Sequence, residues 1–313
     1  MTSRTPRRAG GTGSRAPGLI GAAAALVATF TAATPASAHE PLWGETPTIF
    51  GPTVFHPEIR IGFLRRGGSP DPGEQSSEDI DQEYGLQYGI NRFVNLRVTI
   101  PVMHMTIEEN TAGATEEALV SGAGDAMVAA KYRFHLRQET AFQRSQALVA
   151  GWKLPTGDDD RTAPGGARLP PSDQPGSGKH GVEVGWAADV ERLVDSSWVS
   201  AFYGHDFGGG FRRGDTFEVD AAYGRWVVRP NTSDDLGVNL AFGIHGEAAS
   251  SDHLQDGSSA ENSYRVGGVH LTPILTKGRA QYRLGIFVPL AKSGDEQRTD
   301  FPYEVRAGWE MFF

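Results

Sequence analysis

No cysteine occurs among the 313 residues, which excludes disulfides, thiolate metal ligands and cysteine nucleophiles. Histidine is scattered singly, at 39, 56, 104, 135, 180, 205, 245, 253 and 270. There is no His-Glu-x-x-His motif or i, i+4 pair, and no Gly-x-Ser-x-Gly elbow, so neither a zincin nor an α/β-type serine hydrolase is signalled. Beyond the amino-terminal region no stretch approaches the ~18 continuous apolar residues of a spanning helix. Basic residues are the minority, 29 Lys and Arg against 38 Asp and Glu, which argues against a nucleic-acid partner. Nothing in the chain calls for a cofactor. If such a chain enters a membrane, it has to do so as a barrel.

What is present begins with an address. Before residue 39 the only charged side chains are Arg4, Arg7, Arg8 and Arg15. They precede an apolar stretch from Leu19 to Ala33 and an Ala-Ser-Ala site at 36–38. A positive region, an apolar region and an A-x-A site read as a secretory signal peptide over 1–38, with a mature chain starting at His39. The Arg7-Arg8 pair allows a twin-arginine reading, but Ala-Gly-Gly-Thr does not give it the usual context. Loss of these four arginines from the 29 basic residues leaves 25 against 38 acids, a formal charge of −13.

The mature region alternates with period two. From Ala126 the even positions read Ala, Val, Ala, Tyr, Phe, Leu, while the odd ones carry Asp125, Lys131, Arg133 and His135. Near the end, Tyr303, Val305, Ala307, Trp309, Met311 and Phe313 alternate with Glu304, Arg306 and Glu310. Twelve such stretches, from 57–66 to 301–313, are separated alternately by short turns and by long polar segments at 67–79, 108–121, 155–179 and 248–260. This pattern predicts an all-β fold, a transmembrane antiparallel up-and-down barrel of about twelve strands over 57–313. Residues 39–56 precede it as a periplasmic segment or plug.

Lys or Arg facing lipid at the bilayer midplane costs roughly 2–4 kcal/mol, so the charged register has to face the lumen. The expected lumen charges are Lys131, Arg133, Glu183, Asp189, Glu218, Asp220, Arg283, Glu304 and Arg306, with Arg60, Arg97, Asp125, Lys153, Arg265 and Glu310 in the same register. A soluble sandwich would have the opposite polarity, with charges outside, and the periodicity of single strands does not separate the two; the signal peptide, the alternation of long and short connections and the C-terminal aromatic favour the barrel.

Three segments carry a family resemblance: GDAMVAAKYRF (124–134), LVAGWKLPTGD (148–158) and GSGKHGVEVGW (176–186). EYGLQYGINRFVNLRVTIPV (83–102) fits an earlier hairpin of the same group. The sequence resembles the outer-membrane family labelled as components of the meta-pathway of phenol degradation. That resemblance implies an outer-membrane channel or transporter for small solutes, aromatic or hydrophobic compounds among them, and it brings no catalytic residues.

The expected partners are therefore membrane lipid, the outer-membrane assembly machinery and a small solute, with no enzymatic activity. Phe313, ending the outward stripe, is the expected assembly signal, or else an interfacial girdle residue. Alternatives are a structural or adhesive barrel and a copper-binding protein. At a mature terminus His39 would offer an α-amine and an imidazole, a pair suited to Cu(II). Asp158, Asp159, Asp160 and Asp173 could form a loop cation site, but their spacing does not match an EF-hand loop, so a solvated acidic loop is the better reading. An outer-membrane hydrolase would need Ser, His and an orienting group on the lipid-facing wall near one rim.

Overall fold

The computed structural model describes residues 41–313 except 68–74, 112–113, 163–165, 167, 209, 233, 255, 257, 261 and 296–298. The expected signal peptide and His39 lie outside the described residues. The strands are β1 (Phe55–Arg66), β2 (Gln75–Asn91), β3 (Val94–Thr111), β4 (Ala114–Ala123), β5 (Met127–Gln138), β6 (Phe142–Lys153) and β7 (Gly181–Arg192). They continue as β8 (Asp195–Asp206), β9 (Thr216–Val228), β10 (Gly237–Ala249), β11 (Tyr264–Lys277), β12 (Ala280–Gly294) and β13 (Glu304–Met311). Every neighbour is antiparallel, and β1 pairs with both β2 and β13, so the sheet closes.

Thirteen strands make twelve wall positions. The lower part of β3, Val94–Thr99, pairs with β5, and the upper part, Val102–Thr111, pairs with β4. Between them the wall is interrupted at 124–126, where the Gly124 N–H donates to the Pro101 carbonyl at 2.8 Å. Pro101 has no N–H to return, so the ladder loses a bond at that level and the strand breaks. Residues 108–111 and 114–121, within the stretch expected as a long loop, are instead strand residues of β3 and β4.

The two faces follow the expected rule. Val128, Tyr132, Leu148 and Trp152 are among the exposed large side chains, while Lys131, Asp189, Asp220, Arg283 and Glu310 are buried. An apolar exterior around a charged interior is the inverse of a soluble protein. The molecule is a closed antiparallel β-barrel with the polarity of one that spans a membrane. Twelve strands at ~4.8 Å spacing and ~40° tilt give a backbone cylinder about 24 Å across. Arg265 departs from the expected facing: it lies opposite Ala248 and Ser293 on the outer face and is exposed. The buried register of β11 is that of Val266, His270 and Ile274. Arg265 sits one residue from the start of its strand, at the long-loop rim, where an outward charge reaches water.

Leu148→Arg, near the middle of β6, is expected to lower folding stability in vesicles by roughly 2–4 kcal/mol. Arg265→Leu should be nearly neutral. Denaturant titration of the barrel in lipid bilayers reads both.

Candidate functional site in the lumen

The lumen is filled by the chain's own amino-terminal segment. Leu42, Trp43, Glu45, Thr46, Ile49 and Phe50 are all buried, and their partners come from strands all around the ring. The Glu45 N–H donates to Ser200 Oγ on β8 at 3.1 Å. Its carboxylate meets Arg97 of β3 and, at 3.2 Å, Lys131 of β5. Lys131 also donates to the Thr46 carbonyl at 2.9 Å. On the other side Arg283 of β12 reaches the Pro41 carbonyl and Arg306 of β13 reaches that of Leu42, each at 3.3 Å. Trp43 lies against His270 and Phe287, with ring centroids 4.9 and 6.3 Å apart. The Arg306 guanidinium sits 5.2 Å from the Trp43 ring.

The wall is shaped to admit this segment. A Cβ on Gly285 would fall 2.4 Å from the Trp43 ring, and one on Gly308 would fall 2.8 Å from a Leu42 methyl. Both positions therefore have to be glycine while the segment is in place. Leu42 and Trp43 join Leu64, Val266, Phe287 and Phe301 in an apolar cluster, a small core inside an otherwise polar lumen.

The lumen charges are grouped. Arg283 lies 2.6 Å from Glu58 and 3.2 Å from Glu310. Glu58 is also bound by Arg60 at 2.7 Å, and Glu310 by His56 at 3.2 Å. His56 is itself sandwiched by Phe50 and Phe312. Asp220 faces His270 at 3.1 Å, and His245 lies 3.8 Å from Glu218. Asp189 accepts from the Ser145 N–H and hydroxyl at 3.1 and 2.6 Å. Glu183 lies 4.0 Å from Arg97, Glu304 pairs with Arg306, and Arg133 donates to the Arg92 carbonyl at 2.7 Å. All nine expected lumen charges thus lie on the inner face, spread over several clusters. Glu45 and Glu58, which join the two largest, were not among the expected residues. Glu58 shares the register of Arg60 and could have been found from it, whereas Glu45 lies outside any alternating stretch.

Above the segment, loop 154–180 crosses from β6 to the loops that follow β8 and β10. Asp125 accepts from the Gly157 and Ser177 N–H groups at 2.9 and 2.7 Å. Arg213 donates to the Pro171 and Gln174 carbonyls at 3.1 and 2.6 Å. Asp252 accepts at 2.8 Å from each of Ser172 N–H, Gly214 N–H and Asn262. Between loop and wall lies a cavity of about 450 Å³, lined by Arg60, Asp81, Met103, Lys153, Arg213 and Arg306 among others.

Burial alone would raise the pKa of Asp252, but hydrogen bonds from Ser172, Gly214 and Asn262 outweigh it and hold the carboxyl below its ordinary range. A carboxylate depressed on folding stabilises at neutral pH, and that contribution is lost as pH falls from the ordinary carboxylate range through the folded value. Asp252→Asn should therefore speed tryptic cleavage at Arg161 and Arg168 at pH 8. In the unaltered protein the loop should loosen only in acid, read by hydrogen exchange corrected for intrinsic rates.

The remaining candidates are distributed differently. Asp158 pairs with Arg161 at 2.8 Å and Asp159 with Arg168 at 3.1 Å. Among the described residues no three His, Asp or Glu side chains converge as metal ligands. Phe313 extends the closing pair, its N–H donating to the Phe55 carbonyl at 3.1 Å. A Ser–His pair does exist on the outer wall: Ser121 Oγ lies 2.7 Å from His104 Nδ1 across β3 and β4. The two are 17 positions apart in the chain, and no sequence motif joins them. Among the described residues no carboxylate bonds His104, so the orienting member of a triad is missing from the pair.

The sequence profile of the family described as "Putative MetA-pathway of phenol degradation" matches residues 66–273. The chain belongs to this family. No curated protein matches the sequence. Among solved structures, the barrel is similar to an outer membrane channel from Pseudomonas putida F1, with TM-score 0.63 and 12% identity over 84% of this chain and 97% of that one. The NanC porin aligns at TM-score 0.41 with 8% identity, covering 82% of this chain and 98% of the porin. LpxR from Salmonella typhimurium aligns at TM-score 0.41 with 9% identity, covering 83% of this chain and all of that one. Of these, the channel from Pseudomonas supports the twelve-position closed barrel as the fold of this family member.

Proposed function

We propose that this family member is a gated outer-membrane channel for small solutes, closed in the described state by residues 41–54. The observation that carries the reading is the buried Leu42-Trp43-Gly44-Glu45 stretch, threaded through a closed barrel and held by wall residues from opposite sides. A segment linked to the wall at one end can leave the lumen without unfolding the barrel. The polar contacts of Glu45 exchange for water, so displacement costs mainly the burial of Leu42, Trp43, Ile49 and Phe50, roughly 1.5–3 kcal/mol for each such side chain. The cavity of about 450 Å³ above the segment limits cargo to small molecules. Its mixed lining of methionines and charges suits solutes with an apolar body and a polar or charged group. The family's description points to aromatic compounds as the first class to examine.

A second reading is a non-conducting structural barrel, favoured by the pairing of Arg283 with Glu58 and Glu310 and of Lys131 with Glu45. The absence of native cysteine allows a direct test. A Glu45→Cys, Ser200→Cys pair, placed where the Glu45 N–H and Ser200 Oγ lie 3.1 Å apart, should lock the segment in place when oxidised. Planar-bilayer conductance that rises on reduction supports the channel. Equal, negligible conductance in both states supports the structural barrel.

A further inference from the structure

We propose that the outer wall between β6 and β10 carries a binding site for one anionic phospholipid of the periplasmic leaflet. This inference stands apart from the channel reading, since it concerns the lipid-facing side of the barrel.

A groove of about 690 Å³ runs across this part of the wall. Its floor is made of short side chains, because Ala188, Val199 and Ala221 stand directly opposite one another on successive strands β7, β8 and β9. Tyr223, Phe242 and Ile244 rise beside them as one bank, on the same outward face. Small residues flanked by large ones leave a channel along the wall.

The end of the groove nearest the short turns is cationic. Arg144 lines it, two residues into β6, with its guanidinium 4.9 Å from the Phe142 ring. Two residues correspond to ~7 Å along a tilted strand, which puts this side chain at headgroup depth. Arg225 lies on the outer face of β9, two residues beyond Tyr223 toward the same rim. Both arginines are exposed and neither makes an ion pair among the described residues; Arg225 stands opposite Asp195 across β8 and β9, a carboxylate taken up by Arg192. Their neighbours Arg137 and Arg192, by contrast, pair with Glu139 and Asp195. A cation left unpaired at the polar end of an apolar groove is complementary to a phosphate carrying an acyl chain, and the planar guanidinium binds phosphate oxygens in a fork. Short turns mark the periplasmic side, so the lipid comes from that leaflet.

The physics also says what the site discriminates. An acyl chain entering the groove leaves one apolar medium for another, so the hydrophobic effect contributes little and shape only orients the lipid. Selectivity has to come from the headgroup charge.

Native mass spectrometry of the full mature protein with equimolar phosphatidylglycerol and phosphatidylethanolamine tests this. The expected result is a several-fold preference for phosphatidylglycerol, abolished in an Arg144→Gln, Arg225→Gln double variant. Ala221→Phe, which fills the groove from the lipid side, should reduce adducts of both lipids, with heat-modifiable gel mobility confirming that the barrel has folded. Inorganic phosphate should not compete at millimolar concentration. Equal retention of the two lipids, a preference that survives the double variant, or full competition by inorganic phosphate would overturn the proposal.

Discussion

Removing residues 39–54 from the mature chain is expected to raise single-channel conductance several-fold and to abolish brief closures. The segment occupies the lumen with a fully buried indole and a carboxylate bridging Arg97 and Lys131. Its loss opens the lumen of a cylinder about 24 Å across. Deletion also strips the apolar cluster of Leu42 and Trp43, so the barrel should lose stability. Point variants separate the two effects. Trp43→Ala should raise open probability while leaving the wall intact. Glu45→Gln should weaken the hold of Lys131 and Arg97 and raise open probability, because it removes the carboxylate that both cations face. Planar-bilayer recordings of the three proteins decide the matter. Conductance unchanged by the deletion would remove the gating role of the segment.

Arg283→Gln is expected to be among the most destabilising single substitutions in the wall. The guanidinium is buried between Glu58 and Glu310, and those carboxylates are themselves buried. Taking away one partner of a buried ion pair leaves uncompensated charge, at a cost of roughly 3–5 kcal/mol. Arg60 and His56 still face the two acids, at 2.7 and 3.2 Å, which places the expected loss toward the lower end of that range. Adding Glu310→Gln should recover much of the stability, because the remaining Glu58 keeps Arg60. Denaturant titrations in vesicles across the single and double variants give the coupling directly. If the double variant is no more stable than the single one, the cluster acts through shape and not through charge.

The amino-acid sequence alone determined the barrel. Its signal peptide, its alternation of long and short connections and its C-terminal aromatic favour a barrel over a sandwich with the same period-two strands, and the cost of charge in lipid then assigns Lys131, Arg133, Glu183 and Arg306 to the inside. These are local properties, since the facing of a strand residue depends only on its parity and its environment. Where parity was masked, the reading slipped. Part of β3 and β4 looked like a loop, and Arg265 was assigned inward although its rim position frees it from the rule. What only the tertiary structure decided is what fills the ring. Residues 41–54 have no period to declare their place, and their burial depends on Gly285, Gly308, Lys131 and Arg306, which lie far along the chain on different strands. The same holds for the pairing of Glu58 with Arg283, 225 positions away. A lumen is assembled from contributions of every strand at once. Its charges find their partners only when closure brings β1 beside β13, because the energy of each pair depends on distances that alternation along a single strand does not encode.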